Sequence, residues 1–354
     1  PPCQTTVTLS PPPERTNDQE QRMTQNPWAA ADIFGVWREP ALIVIFGDAG
    51  IGKSFDATLF CPDGWTLSAP GALKGARHIL GDEWYAYAQQ FVVEVRTLAD
   101  VTTFLHEIAA GRRERRPVRI DDLSITAQVS LMDLGERFNE KMTRNKYEFF
   151  KNLVFAMKEA ARRAGVHVIA SAHVQAPHTN EKQVFTKGGP SMGAPSACGP
   201  LYASADVIYR IEAESNRFPH PAVYRCDCPD NNWAFKDRHN ALQGVGPANL
   251  RELLMHVGLP VPRHENLAWM DEYSEAVAQA IMGGADKKEV WNDYRARLTD
   301  VFNGHVYWML RDGVDRAAIR MRKSPMDMLL SGEFGAKPAG IVGPGSPPPP
   351  PPPK

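Results

Sequence analysis

The stretch Ile43-Val44-Ile45-Phe46-Gly47-Asp48-Ala49-Gly50-Ile51-Gly52-Lys53-Ser54 constrains this chain more than any other. An apolar, β-branched run reads as a buried strand and leads straight into a loop with three glycines. The loop fits G-x-x-x-x-G-K-[ST] at every fixed position. Gly47 and Gly52 let the backbone curl, so that successive N–H groups point inward at phosphate oxygens. A helix expected from Lys53 to about Phe60 would add the positive end of its dipole. Lys53 would reach the β- and γ-phosphates, and the Ser54 hydroxyl would ligate Mg²⁺. Gly47 to Ser54 is therefore the expected triphosphate cradle. The competing reading is a chance glycine turn between a strand and a helix.

Magnesium held this way wants a second acid. "RPVRIDDLS" offers one, a strand ending in Asp121 and Asp122. Ligands gather beyond the carboxyl ends of strands in a parallel sheet. Asp121 is expected to order Mg²⁺ through water, as the second metal residue beside Ser54. Asp122 is open between a catalytic base and an exposed turn acid. Arg119 interrupts the apolar strand. "VHVIASAHV" ends the next strand at His173, which is either a sensor of the γ-phosphate or a turn histidine without a ligand. In "FKDRHN", Lys236 and Arg238 have strand spacing and share a face. Spacing alone reads them as a solvated strand end.

Short apolar runs alternating with helical patterns predict an α/β fold with a mostly parallel central sheet flanked by helices. Strands are expected at 41–46, 91–95, 116–122, 166–173, 205–213 and 222–228. "YEFFKNLVFAMKEAARRAG" predicts an amphipathic helix stopped at Gly165. After residue 244 the pattern turns helical. The division expected is a disordered arm at 1–37, the core at 38–244, a small helical region at 245–330 and a disordered Gly/Pro-rich tail at 331–354. The tail ends in a proline run suited to aromatic grooves, so a partner for it is one expectation and a solvated tail the other.

The 354 residues carry a net charge of −1, which excludes a global basic field for a polyanion; any such contact must be local. The five cysteines are odd in number and irregular in spacing, which argues against a secreted disulfide framework. Cys226 and Cys228 form a C-x-C pair, read as reduced thiols before zinc ligands. No apolar run approaches the ~20 residues of a membrane span. The expectation is a cytoplasmic protein with no membrane contact.

The order of Gly47–Ser54, Asp121, His173 and the Lys236/Arg238 pair resembles the RecA/DnaB/KaiC class of P-loop ATPases. More narrowly, "RIDDLS", "HVIASAHV", "KGGPSMGAP", "SADVIYRIE" and "FKDRHN" resemble phage-encoded RecA-like core ATPases of the minimal recombinase or single-strand-annealing type. The similarity covers roughly residues 38 to 240. It implies ATP and Mg²⁺ as ligands, ATP hydrolysis, and a homo-oligomeric ring or filament. It also implies a catalytic role for Lys53, Asp121, Asp122 and His173, with Lys236 and Arg238 acting across a subunit interface. The setting it implies is a phage-infected bacterial cell.

The class takes a catalytic glutamate from a strand between the two phosphate-site motifs. Here Glu83 and Glu94 are the candidates, and neither follows directly on a strand of the expected kind. The class also lines a DNA path with the loops after Asp122 and after His173. The first offers Arg137, Lys141, Arg144 and Lys146 with Phe138 and Tyr147. The second offers Lys182, Lys187 and Phe185. Basic groups neutralise phosphates and aromatics stack on bases; the competing reading is a pair of ordinary surface loops, the first partly helical. Single-stranded DNA is the expected partner. An assembly protein using ATP as a switch, and a DnaB-like helicase motor, stand as alternatives. The cluster at 111–116, "GRRERRP", reads as a solvated helix end.

Overall fold

A computed structural model describes residues 40–322, except 62, 69–76, 138–142, 180–182, 184, 194, 214–221, 228–230, 243, 257–267 and 299–302. The expected arm and tail, Cys3, Cys228 and the proline run lie outside the described residues.

β1 (Leu42–Gly47) is buried along its whole length. Strand periodicity sends Leu42, Val44 and Phe46 into one apolar layer and Ala41, Ile43 and Ile45 into another. Both faces therefore need helices, and the chain supplies them. The first layer packs against α3 (Leu98–Ala109), α4 (Leu123–Arg137), α5 (Thr143–Ala164) and α6 (Pro195–Ser204). The second packs against α1 (Lys53–Phe60), α7 (Leu250–His256) and the end of α10 (Asn303–Arg320). The result is a sheet between two helical layers. It is the mostly parallel α/β arrangement expected of the sequence.

The remaining sheet strands are β2 (Trp65–Ser68), β3 (Val92–Glu94), β4 (Val118–Asp121), β5 (Val168–Gln175), β8 (Gly189–Pro190), β9 (Val207–Ala213), β10 (Ala222–Arg225), β11 (Lys236–Asp237) and β12 (Val245–Pro247). Their order is β12-β10-β9-β1-β5-β4-β2-β3, with β11 beside β9 and β8 beside β5. β1, β2, β3, β4, β5 and β9 run parallel. β10, β11, β12 and β8 pair antiparallel. The ladders align Gly47 with His173, and Ser68 with both Asp121 and Glu94. One edge of the sheet thus collects the ends of β1, β5, β4, β2 and β3.

Three segments differ from the expectation. The run after Asp122 is no long loop: Leu123–Arg137 is helical, begun by capping bonds from Asp122. Its modest amphipathicity hid it. α2 (Arg77–Gln89) and β2 fill a region expected to hold no element before residue 91. The segment expected to open a helical region at residue 245 begins with β12, paired to β10, so its first residues belong to the sheet.

α8 (Ala268–Met282), α9 (Lys287–Arg297) and α10 build a third apolar cluster. Buried charge ties it down. Arg316 bonds Asp312 and Asp271, with Glu275 at 3.3 Å. Arg320 bonds Glu252 at 2.7 Å and Glu275 at 2.6 Å, and this contact holds the Glu275 carboxyl down at about 2. Every member has an oppositely charged partner, although Glu252 Oε2 meets Arg316 only at 3.8 Å and without a hydrogen bond. Asp56 on α1 accepts from the Tyr224 hydroxyl and from the Leu250 amide, so the phosphate-loop helix and α7 share one buried carboxylate. No helix among the described residues is long and apolar enough to cross a membrane.

His167 supplies a pH prediction. Its Nδ1 accepts from the Ala41 amide at 3.1 Å, just before β1. Burial, with a further push from His239, lowers its pKa from 6.5 to about 4. The unfolded chain therefore binds the extra proton between those values, and stability falls as pH drops through that window. His167→Gln keeps an acceptor for Ala41 and removes the titration. Relative to this variant, the wild type should lose about 3 kcal/mol of unfolding free energy between pH 6.5 and 4. Urea titrations at several pH values check it; a pH-independent difference contradicts it.

Candidate active site

The loop Gly47–Ser54 crosses from β1 to α1 at the collecting edge. Two of its glycines are demanded locally. A Cβ on Gly47 would lie 2.6 Å from the Ile211 carbonyl of β9, too close for any side chain. Gly52 has φ +101° and caps α1 without a side-chain bond, a backbone only glycine adopts readily. On the outer side of Gly50 and Gly52 there is open space within 4 Å, and Asp48, Ala49 and Gly50 are exposed. Ile51 packs inward on the apolar layer around β1. The loop is a cradle open to solvent with its helix N-terminus behind it.

Lys53 folds back along the loop. Its Nζ donates to the carbonyls of Gly47 (2.9 Å) and Asp48 (2.7 Å). Burial lowers its pKa, and Asp122, Asp121 and Asp48 oppose that shift. Ser54 Oγ donates to Asp121 Oδ1 at 2.9 Å, and Ser171 Oγ donates to the same oxygen at 2.7 Å. Ser171 was not singled out from the sequence. The available signal was a hydroxyl two residues before His173, hence on the same strand face.

The peptide between Asp121 and Asp122 is cis. Asp122 Oδ1 accepts from the amides of Ser124 (2.5 Å) and Ile125 (3.4 Å) and so starts α4. Its Oδ2 lies 3.0 Å from His173 Nε2. Burial raises the Asp122 carboxyl, and His173 pulls it back. The His173 side chain is 46% exposed, beside the start of the loop. Asp122 and His173 thus form a pair facing the cradle.

Arg119 lies two residues before Asp121 on the same strand face and is fully buried. Its Nη2 donates to Gly64 O (3.2 Å) and Thr66 Oγ1 (2.5 Å). Those bonds and the charges of Asp121 and Asp63 offset only part of the cost of this cation: burial lowers its pKa, and Nε and Nη1 are buried without a hydrogen-bond partner among the described residues.

The glutamate candidates stand elsewhere. Glu94 is exposed at the end of β3, two strands from Asp121 and four from the loop strand. At about 4.8 Å per strand that is roughly 10 Å and 19 Å. Glu83 is in α2, and its side chain lies outside the described residues. The end of β2, next to Asp121, carries Ser68 and is followed in sequence by "APGALKGA", with no acid.

Lys236 and Arg238 lie toward the other edge. β11 pairs Lys236 with Ile208 and Asp237 with Val207, level with Ile43 on β1. Gly47 is four residues further along, roughly 13 Å at about 3.3 Å per residue. Arg238 therefore does not reach its own loop. Lys236 Nζ donates to the carbonyls of Tyr202 (2.8 Å) and Ala203 (3.1 Å), in the last turn of α6. Arg238 is half exposed and bonds Asp206 Oδ1 at 2.6 Å.

The expected polymer loops are shorter than the sequence suggested. Lys146 sits over Gly135 of α4, and Tyr147 packs on the core. Phe138, Lys141 and Lys182, and the side chains of Arg137 and Arg144, lie outside the described residues. The second segment forms a hairpin of β6 (His178–Thr179) and β7 (Phe185–Thr186). Phe185 is exposed at its end, and Lys187 bonds Asn231 Oδ1 at 2.5 Å. Three of the four 111–116 arginines make structural contacts, Arg113 over Trp65 and Phe104, Arg115 to Ala164 O and Arg116 to Asp63, while Arg112 is exposed as a solvated helix end would be. Cys61, Cys198 and Cys226 form no disulfide, and burial pushes Cys61 and Cys226 up to about 12.

The donor set fits magnesium triphosphate. Two hard oxygen donors of the kind magnesium takes, Ser54 Oγ and Asp121 Oδ1, already face each other; a lysine stands beside them; the loop above is open. No family model and no curated protein matches the chain. Among solved structures, it is similar to a KaiC-like protein from the hyperthermophilic archaeon Pyrococcus horikoshii OT3, with 12% identity and a TM-score of 0.34 over 53% of this chain and 79% of that one.

Proposed function

We propose that the chain is a magnesium-dependent ATPase of the RecA-like type that works as an oligomer on single-stranded DNA. The observation that carries the ATPase reading is the bond from Ser54 Oγ to Asp121 Oδ1 at 2.9 Å, beside Lys53 under an open glycine loop. Ser54 and Asp121 are the residues that would hold magnesium, which when bound would supply charge neutralisation to the triphosphate. The loop amides and Lys53 hold the triphosphate. A water attacks the γ-phosphorus, the bond to the β-bridging oxygen breaks, and ADP leaves with that electron pair. Asp122 takes the water's proton, since burial raises its carboxyl toward proton affinity. His173 fixes the carboxylate's direction. Arg238, remote from its own loop, completes the site of a neighbouring copy.

The polymer reading rests on the resemblance and on the exposed Phe185 in the hairpin after β5. One observation favours a second reading, a slow ATP-driven assembly switch: no acid ends β2 beside Asp121, and Glu94 is two strands away. Phosphate release with and without single-stranded DNA separates the two. Stimulation by DNA, with binding that weakens steeply with salt, is expected. Nucleotide-dependent assembly with no DNA binding and no stimulation would leave the switch.

A further inference from the structure

We propose that Asp206 is the positioning residue for Arg238, and that it joins the contact Arg238 makes with a neighbour to the phosphate loop of its own protomer. The inference rests on the oligomeric reading above. Asp206 sits immediately before β9 and is almost wholly buried. Both carboxylate oxygens are engaged. Oδ1 accepts from Arg238 Nη1 at 2.6 Å. Oδ2 accepts from the Leu42 amide at 2.8 Å and from Lys158 Nζ. The backbone repeats the pattern: Asp206 N donates to Leu42 O at 2.8 Å, and Arg238 N donates to Asp206 O at 3.0 Å. One residue thus grips both the turn carrying Arg238 and the first residue of β1.

A carboxylate serving only the scaffold would be satisfied by Leu42 and Lys158. The third partner is a half-exposed guanidinium with five N–H donors, of which Asp206 takes one. The carboxylate fixes the plane and direction of the fork, and its remaining donors keep a set heading. An arginine held this way loses less rotamer freedom on meeting a phosphate than a free one. The other end of the link is β1, six buried residues between β5 and β9. A strand packed this closely moves as a unit. Leu42 begins it and Gly47 opens the loop at its end. The two arrangements are Arg238 bonded to Asp206 alone, as here, and Arg238 shared between Asp206 and a neighbour's phosphate.

Asp206→Asn keeps an acceptor for Leu42 and removes the charge that orients Arg238. Steady-state ATP turnover, equilibrium binding of a fluorescent ATP analogue and thermal midpoints would be measured on full-length wild type, D206N, K158Q, R238A and D206N/R238A. D206N should lower kcat about tenfold with nucleotide affinity held within about twofold. Its ATP dependence should lose whatever cooperativity the wild type shows. The double variant should turn over no more slowly than R238A, because both changes remove one contact. K158Q, which keeps the Asp206–Arg238 bond, should lower the thermal midpoint and keep kcat. Should D206N not fold, Asp206→Glu keeps the charge but displaces it, and an intermediate kcat is expected. Wild-type kcat in the variant that folds, or an equal further loss on top of R238A, overturns the proposal. Wild-type turnover in R238A itself would instead remove the oligomeric reading on which it stands.

Discussion

Lys53→Ala should reduce ATP turnover by about a thousandfold, with little loss of folded protein. Lys53 is the only cation in the loop Gly47–Ser54. It acts twice. With no nucleotide, its Nζ ties down the Gly47 and Asp48 carbonyls. On the proposed function, the same ammonium would meet charge that grows on the phosphate oxygens as the bond breaks. Alanine frees the buried carbonyl of Gly47 and the part-buried one of Asp48, which costs about 1–3 kcal/mol of stability. The large effect therefore belongs to kcat and nucleotide affinity. A phosphate-release assay beside a thermal melt separates the two. Lys53→Arg should not rescue turnover, since a planar fork does not fit the space of one ammonium between two carbonyls.

Arg238→Ala should also be severe, by about a thousandfold in kcat, the scale of an arginine finger. Its distinguishing sign is its behaviour in mixtures. Arg238 lies level with the start of β1, while the loop lies at its end. A protomer lacking Arg238 but retaining Lys53 should be reactivated by a wild-type Arg238 from a neighbour. Mixing R238A with K53A should then restore part of the activity that each lacks alone. Phosphate release across a series of mixing ratios checks this. No recovery at any ratio, with oligomers present, contradicts a shared site.

The loop and its flanks were legible because the motif sets both spacing and conformation: Gly47 touches Ile211 O, and Gly52 needs its positive φ. β1, β4, β5 and β9 were legible as apolar runs between helical patterns. β2 escaped because four residues, Trp65–Ser68, give too little periodicity to stand out. α4 was legible only as a partly helical loop, because "LSITAQVSLMDLGER" mixes β-branched and polar residues with little preference for a face. The cap it needs comes from Asp122, a residue already read for its chemistry. Lys236 and Arg238 could be paired by spacing, but spacing could not tell that Lys236 faces the last turn of α6 and Arg238 faces Asp206. That separation depends on which segments the sheet brings together from 30 residues apart or more. Ser171, Asp206 and the contact-making Arg113, Arg115 and Arg116 belong to the same class: ordinary residues locally, decisive only once the ladders are formed.

The central claim is that Lys53, Ser54 and Asp121 hold a magnesium triphosphate for hydrolysis. Phosphate release from ATP by the purified chain, titrated with Mg²⁺ and repeated with chelator and with Lys53→Ala, tests it most directly. The account predicts release that rises with Mg²⁺, stops with chelator and is lost in the variant. Release that ignores magnesium, or that survives in Lys53→Ala at the wild-type rate, would contradict it.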